Sequence, residues 1–367
     1  MPRILLLIPT LDRSGAEKQF ALLASRLPRD EFEVEAVTLT RGGPYEELLR
    51  EANVPLTIIG KRWKFDSGAL RRLRRLIQEK QPDIVHTWLF AANSYGRFAV
   101  GSKPQCKVVV SERCVDSWKA RWQLAVDRRL IDRTDRLIGN SQAVVDFYRD
   151  VGMPEDRMSV IRNGVEPPTH SSLSRESVCE ALDVPKSAKL VGFVGRLAPQ
   201  KRLKDLIWAF HLLVSVQPDA YFVMIGDGPQ RQELEEFATK VPIKGQVRFA
   251  GHREDAAELA RHFDAFWLGS DFEGQSNSLM EAMAAGVPPI VSNIAPNLEL
   301  VTHEETGLVV PVGDKAAFAM AADRLLKDSD LASQLAVNAK RQMAEQFSID
   351  AMVAAHAELY RGLCSSR

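Results

Sequence analysis

The chain is short of cysteine, and its four, Cys106, Cys114, Cys179 and Cys364, show neither metal-ligand nor redox spacing. That usage suits a reducing cytoplasm, which is the expected location. No apolar run approaches 18 residues, so no transmembrane helix is expected. The apolar core of the amino terminus, Ile4–Ile8, is too short for a signal peptide and no small-residue cleavage site follows, so it reads as a buried first strand. Net charge is zero, which argues against a nucleic-acid-binding protein. Neither a P-loop pattern nor a Gly-x-Gly-x-x-Gly fingerprint is present.

What remains is an ordinary soluble composition, 45% hydrophobic and 26% charged, over 367 residues, enough for two domains. The charge is unevenly spread. Residues 1–165 carry 28 Lys+Arg against 21 Asp+Glu, the rest 20 against 27. A basic half beside an acidic half suggests mutual attraction across a cleft or an anionic partner for the first half.

Strand-like and helix-like stretches alternate throughout, which predicts parallel sheets covered by helices on both faces. Strands are expected at 3–9, 33–40, 56–59, 83–87, 107–111, 136–140 and 158–161, then at 190–194, 220–225, 247–250, 265–268, 289–292 and 307–310. The main helices of the first half are expected at 16–27, 45–52, 68–79, 91–100, 118–133 and after Ser141. A last amphipathic helix covers 349–361. A Pro/Ser-rich stretch at 166–172 breaks the pattern and opens a linker, 166–186, between domains at 1–165 and 187–348. The fold class is therefore α/β, two doubly wound Rossmann-like domains facing a central cleft. Ligands are expected at the carboxyl ends of the strands.

The densest chemistry lies in 269–292. A buried strand leads into Glu273, Gly274, Gln275, Ser276 and Asn277, and a short helix follows. Small polar residues opening a helix make an anion site, because the first N–H groups lack intrahelical partners. Glu281 follows Ser278 at capping-box spacing, so it reads either as a cap or as a ligand carboxylate. Glu273 is too distant for that cap. A diphosphate with hydroxyls at both ends would use such a set. Upstream, Gly192 and Gly195 end a strand and admit close backbone approach; Arg196 and Lys201 follow and could bracket a diphosphate, or be solvated loop charges. Gly226 ends another strand and could line the cleft, while Asp227 beside it reads as a turn residue.

In the first half, Ser14-Gly15-Ala16-Glu17 opens a helix and offers backbone N–H groups around Gly15. A lone His is usually structural, but His86 ends a strand, where it points to the expected cleft. Ser111-Glu112-Arg113 reads as a polar substrate contact or an internal ion pair. Lys61, Arg62, Trp63, Lys64, the run Arg71-Arg72-Leu73-Arg74-Arg75, Trp118, Lys119, Arg121, Trp122, Arg128 and Arg129 form a basic, Trp-bearing surface. It fits docking on an anionic membrane, or a plain solvated face.

Glu273 and Glu281 in a Glu-x7-Glu pattern, Gly195-Arg196-Leu197 with Lys201, Val160-Ile161-Arg162-Asn163-Gly164-Val165 and Ser14-Gly15-Ala16-Glu17 together resemble the retaining GT-B glycosyltransferases of family 4, group 1. The resemblance covers nearly the whole chain. It implies an acceptor-binding first domain, a nucleotide-sugar-binding second domain, and a final helix (349–367) crossing back onto the first. Position by position it implies Glu281 on the ribose, Glu273 on the donor sugar, and Arg196 and Lys201 on the leaving diphosphate. Gln275, Ser276 and Asn277 would cradle phosphate or sugar, with Gly195, Gly226 and Gly15 close by. The implied donor is a UDP- or GDP-type sugar, the acceptor a sugar, glycolipid or other hydroxyl, and no metal is obligatory.

Two departures stand out. The family usually carries His where this chain has Ser111-Glu112-Arg113, and His86 is a candidate catalytic substitute. Gly274-Gln275-Ser276 replaces the more usual Gly-Phe-Pro or Gly-Phe-Ser, which bears on donor-sugar preference. The expected function is retaining transfer of a hexose or N-acetylhexosamine, with peripheral docking on the inner face of the membrane. The competing readings are a sugar-nucleotide epimerase or hydrolase and a non-catalytic nucleotide-sugar-binding subunit.

Overall fold

Ile4, Leu6 and Ile8 belong to one buried cluster and Leu5 and Leu7 to another. A strand apolar on both faces belongs in the middle of a helix-covered sheet. The first set packs with Phe20 and Leu23 of the helix Gly15–Arg26 and with Met352, Ala357 and Tyr360 of the last helix, Ile349–Ser365. The second packs with Leu73 and Ile77 of Ser67–Lys80 and with Ala92 and Ala99 of Leu89–Val100.

The computed structural model describes residues 1–101, 106–117, 119–166, 173–243 and 245–365. Two units account for them: Met1–Gly164 with the last helix, and Val165–Ser348.

In the first unit the strands are β1 (Arg3–Ile8), β2 (Glu33–Thr38), β3 (Leu56–Ile58), β4 (Ile84–Trp88), β5 (Lys107–Glu112), β6 (Arg136–Gly139) and β7 (Met158–Val160). They form a parallel sheet in the order β3-β2-β1-β4-β5-β6-β7. In the second unit they are β8 (Lys189–Val194), β9 (Ala220–Ile225), β10 (Val247–Gly251), β11 (Ala265–Leu268), β12 (Pro289–Ser292) and β13 (Leu308–Val310). The order there is β10-β9-β8-β11-β12-β13, also parallel. Both units are Rossmann-like, and the strand order reverses between β1 and β4 and between β8 and β11. In such sheets the loops at the carboxyl ends beside the reversal diverge and leave room for a ligand.

The structure departs from the sequence reading in two places. The helix expected over 118–133 is Arg121–Arg129, followed by a single 3₁₀ turn, Ile131–Arg133. Within the stretch read as linker, Ser174 caps a helix, Arg175–Ala181, that inserts Val178 and Cys179 into the second core. The apolar i, i+1 and i+4 positions, Val178, Cys179 and Leu182, carried that signal. Pro167–Ser172, the core of the expected boundary, lies outside the described residues.

Candidate active site

β8 and β11 pair directly, Val191 with Ala265 and Gly192 with Phe266, so the loops that leave them run side by side. The Asp271 N–H donates to the Gln200 carbonyl (2.9 Å), and Gln200 Nε2 donates to that of Phe272 (3.3 Å). Arg202, held at φ 51°, donates through Nη1 to Asp271 (2.8 Å) and through Nε to Asp205 (2.8 Å). These ties set Lys201 against Glu273, and Ser270 Oγ donates to the same carboxylate oxygen, Oε1, at 2.6 Å. Ser270 is itself held from behind, since Ser292 Oγ donates to its carbonyl (2.6 Å) and Asn297 Nδ2 donates to the Ser292 carbonyl (3.0 Å). The sequence reading named Lys201 and Glu273 but missed Arg202, Asp271, Ser292 and Asn297. A second cation directly after Lys201 and a second carboxylate two residues before Glu273 were the available signals.

Arg196 is exposed, and no hydrogen bond or ion pair engages its side chain among the described residues. Gln275 is buried, and Asn277 and Glu281 are half-buried on or beside the helix Asn277–Ala284. The cap of that helix corrects an expectation. Ser276, not Ser278, is the N-cap, and its Oγ accepts from the Leu279 N–H (3.4 Å). Leu279 therefore occupies the third helical position, where a capping box needs a carboxylate or amide, and Glu281 falls two residues too late. Gly226 also has a packing cause: a Cβ there would lie 2.0 Å from the Gly195 carbonyl oxygen, and φ is +138°. At Gly192 a Cβ would meet the Phe263 ring at 1.9 Å, so the close approach there is to a side chain of the same unit. Asp227 accepts from the Gly228 N–H, as a turn residue does (2.6 Å). The chain's one Asp-x-Asp, Asp328-Ser329-Asp330, opens a helix, and Asp328 caps the Leu331 N–H (2.9 Å).

In the first unit, Gly15 is exposed at the start of its helix. Ser14 Oγ donates to Glu17, whose carboxyl is raised by burial. His86 does not stand at a substrate surface, which corrects the catalytic expectation for it. It is fully buried, with Nδ1 bonded to Tyr360 Oη (2.6 Å) and Nε2 to Ser111 Oγ (2.8 Å). Burial, then the charges of His356 and Arg113, hold it well below the usual imidazole range. Alternation along β4 puts His86 on one face with Ile84 and Trp88, and that face is core.

Glu112 and Arg113, read as one motif, have separate environments. Glu112 accepts from Asn93 Nδ2 (2.9 Å) and pairs with Lys119 (3.4 Å), which also meets Asp116 (2.9 Å) and Asp127 (3.2 Å). Burial raises the Glu112 carboxyl to about 7 despite Lys119. On Lys119 the desolvation that opposes its charge is outweighed by Glu112, Asp116 and Asp127, and its ammonium is raised. On the basic surface, Trp63 (67%), Phe65 (77%) and Trp122 (41%) are exposed, and Lys64 sits 4.6 Å over the Trp122 ring. Arg72 and Arg74 are bonded to backbone carbonyls and Lys119 is buried, so they are not part of a free face. Trp118 lies outside the described residues.

A carboxylate neutralised by an ammonium, an exposed guanidinium and a capped helix start thus share one end of the second sheet. The family model described as Glycosyl transferases group 1 matches residues 174–342, and that described as Glycosyltransferase Family 4 matches residues 13–168. The chain belongs to the family 4, group 1 glycosyltransferases. The chain is 29% identical over 226 residues to the lipopolysaccharide core biosynthesis glycosyltransferase LpsE of Rhizobium meliloti, covering 62% of this chain and 64% of LpsE. It is 26% identical over 230 residues to the N-acetyl-alpha-D-glucosaminyl L-malate synthase of Bacillus anthracis, covering 63% and 60%. The chain thus spans less than two thirds of the length of these two curated relatives. Among solved structures, Anabaena HepE in complex with UDP and glucose superposes with a TM-score of 0.88 at 22% identity, over 99% of this chain and 100% of HepE. That likeness shows the GT-B fold. Among the described residues no helix is long and apolar enough to cross a membrane.

Proposed function

We propose that this glycosyltransferase moves a hexose or N-acetylhexosamine, with retention at the anomeric carbon, from a UDP- or GDP-type sugar to a hydroxyl of a sugar, glycolipid or other glycoconjugate. The observation that carries the reading is the union of Lys201, Glu273 and Ser270 beside the free Arg196, at the strand-order reversal of the second sheet. HepE, of the same fold, is described with UDP and glucose, and LpsE belongs to lipopolysaccharide core synthesis.

In this mechanism Arg196 and Lys201 stabilise the charge that grows on the leaving diphosphate, a term usually large in such transfers. Glu273 accepts from hydroxyls of the donor sugar while its own charge is offset by Lys201. Glu281 accepts from the ribose hydroxyls, and the N–H groups around Gln275, Ser276 and Asn277 face phosphate or sugar. The bond from the anomeric carbon to the β-phosphate oxygen breaks, and the bond to the acceptor oxygen forms on the same face. The acceptor proton passes to the leaving phosphate, so no protein base is required, and the buried His86 is not asked to be one.

The test is transfer from UDP-, GDP- and ADP-sugars to a panel of hydroxyl acceptors by wild type, Arg196→Ala and Glu281→Ala. Loss of a charge-stabilising group is expected to cost on the order of 100-fold in turnover for Arg196→Ala. Full activity in both variants would sink the site assignment. Nucleotide release that no acceptor diminishes would favour a hydrolase.

The first unit's exposed Trp63, Phe65 and Trp122, with Lys61, Arg62 and Lys64, support a second partner, the anionic face of a membrane. Aromatic residues sit well at the headgroup level, and each basic residue adds about 1 kcal/mol there. Salt-sensitive binding to anionic but not neutral vesicles is expected. Equal binding to both would remove the membrane from the reading.

A further inference from the structure

Arg113 follows β5 directly, at the carboxyl end of a strand that neighbours β4. It is 8% exposed, and none of its three guanidinium nitrogens has a hydrogen-bond partner among the described residues. Among the described residues no carboxylate answers its charge. Glu112, Asp116 and Asp127 gather around Lys119, and Arg97 takes the other oxygen of Asp127 (2.7 Å). The groups that do face Arg113 are the Trp88 ring, 3.9 Å from the guanidinium carbon, and His86, His356 and Tyr360. Burial draws Arg113 down to about 9, so it keeps its proton at neutral pH. A buried guanidinium with its N–H groups unspent is unfavourable unless oxygen lone pairs reach it.

The same corner holds two more unspent features. Trp88 Nε1 is buried and also has no hydrogen-bond partner among the described residues. Leu89, the first residue of the helix Leu89–Val100, sits at φ +68°, a strained conformation for a branched side chain, and no side chain caps that helix. Strain of this kind is retained where the surroundings have a use for the geometry.

We propose that Arg113, lying against the Trp88 indole, is an oxyanion receptor in the first unit that takes a phosphoryl group of a substrate. A phosphoryl group fits better than a carboxylate, because its three oxygens match a five-donor fork with an indole N–H beside it. The assignment to a substrate rests on the glycosyl-transfer reading; the binding of the oxyanion does not.

The experiment uses the whole chain in an Arg196→Met background, which removes the exposed one of the two phosphate-facing cations proposed for the second unit; the other, Lys201, stays paired with Glu273. Inorganic pyrophosphate is titrated by calorimetry and by thermal melting. The melting temperature is expected to rise with pyrophosphate, as for any ligand of the folded state. Adding Arg113→Met should abolish the rise, and Arg113→Lys should weaken binding by about tenfold, since an ammonium cannot fork two oxygens. Without pyrophosphate, Arg113→Met should melt no lower than its parent, because an unpaired buried charge has gone. A purely structural Arg113 would give a lower melt. No response in the parent protein, or an undiminished response in Arg113→Met, overturns the proposal. If Arg113→Met does not fold, the receptor is overturned unless Arg113→Lys folds and shows the weakened binding.

UDP-glucose separates the sources of the phosphoryl group. A dissociation constant raised in Arg113→Met assigns the group to the donor. An unchanged one, with pyrophosphate binding lost, assigns it to the acceptor. Pyrophosphate binding in a protein that binds no nucleotide sugar would keep the receptor and defeat the glycosyl-transfer reading.

Discussion

Lys201 and Glu273, 72 residues apart, close into an ion pair whose side chains are only 12% and 9% exposed. Each arrives on a different strand-end loop, and Ser270 binds the same carboxylate oxygen from within the second loop. The pair therefore ties the two loops together and balances charge at the place proposed to hold the donor diphosphate. Arg196, on the first of those loops, remains exposed and uncommitted among the described residues.

Lys201→Met and Arg196→Met should therefore separate stability from turnover. Removing one partner of a largely buried pair strands the other charge, and about 3 kcal/mol of stability is expected to go with Lys201. Arg196→Met should stay within about 0.5 kcal/mol of wild type, as exposed substitutions do. Both should lower transfer. Calorimetric melting beside kcat/KM reads the two effects, and Lys201→Met melting with wild type would show that the pair contributes nothing.

Capping of Asn277–Ala284 by Ser276 gives a second contrast. Ser276→Ala should cost about 1 kcal/mol, the usual value of a lost N-cap, and Ser278→Ala only a few tenths. Denaturant titration of the two variants decides between them. A larger loss for Ser278→Ala would restore the capping box with Glu281.

Most strands among the described residues were legible as short apolar runs bounded by turn residues; in central ones such as β1 and β11 burial on both faces erases alternation, while β2 alternates through Glu33 and Glu35. Cap choice among Ser276, Ser278 and their neighbours was not, because it depends on where the backbone first turns helical. The role of His86 was half legible. Ile84, His86 and Trp88 share a face, yet the partner that completes the core, Tyr360, lies 274 residues away. The Lys201–Glu273 union needed the pairing of β8 with β11, a tertiary fact. The isolation of Arg113 needed knowledge of where every nearby carboxylate goes.

His356 gives a pH prediction with a definite sign. Burial first of all lowers it from 6.5 to about 3 in the folded protein. As pH falls below 6.5 the unfolded chain takes up a proton that the folded chain refuses, so stability is present above 6.5 and lost down to about 3. The loss approaches about 1.4 kcal/mol per pH unit for this group. Glu112, raised to about 7, acts in the opposite sense, adding stability as pH falls from 7 towards its unfolded value. The clean measurement is thus a difference: His356→Gln should show a shallower acid loss than wild type between pH 6.5 and 3. Parallel profiles would mean that His356 protonates freely in the fold.

Gly226 offers the sharpest backbone test. A Cβ at this position would lie 2.0 Å from the Gly195 carbonyl oxygen and 2.9 Å from its carbonyl carbon, and φ is +138°. Neither atom belongs to a flexible side chain, so the loop after β8 must shift to admit a methyl group. That loop also carries Arg196 and leads to Lys201. Gly226→Ala should lose about 2–3 kcal/mol of stability, from steric displacement added to an unfavourable φ. Because the displaced backbone positions the two cations proposed to face phosphate, donor affinity should fall with it even well below the melting temperature. Gly245→Ala is the control: its φ is +69°, but nothing lies within 4 Å of its Cβ position. It should lose about 1 kcal/mol from backbone strain alone and leave donor affinity unchanged. Equal donor affinities for Gly226→Ala and Gly245→Ala, measured by UDP-glucose titration, would show that the Gly195–Gly226 approach is a packing detail without consequence for the site.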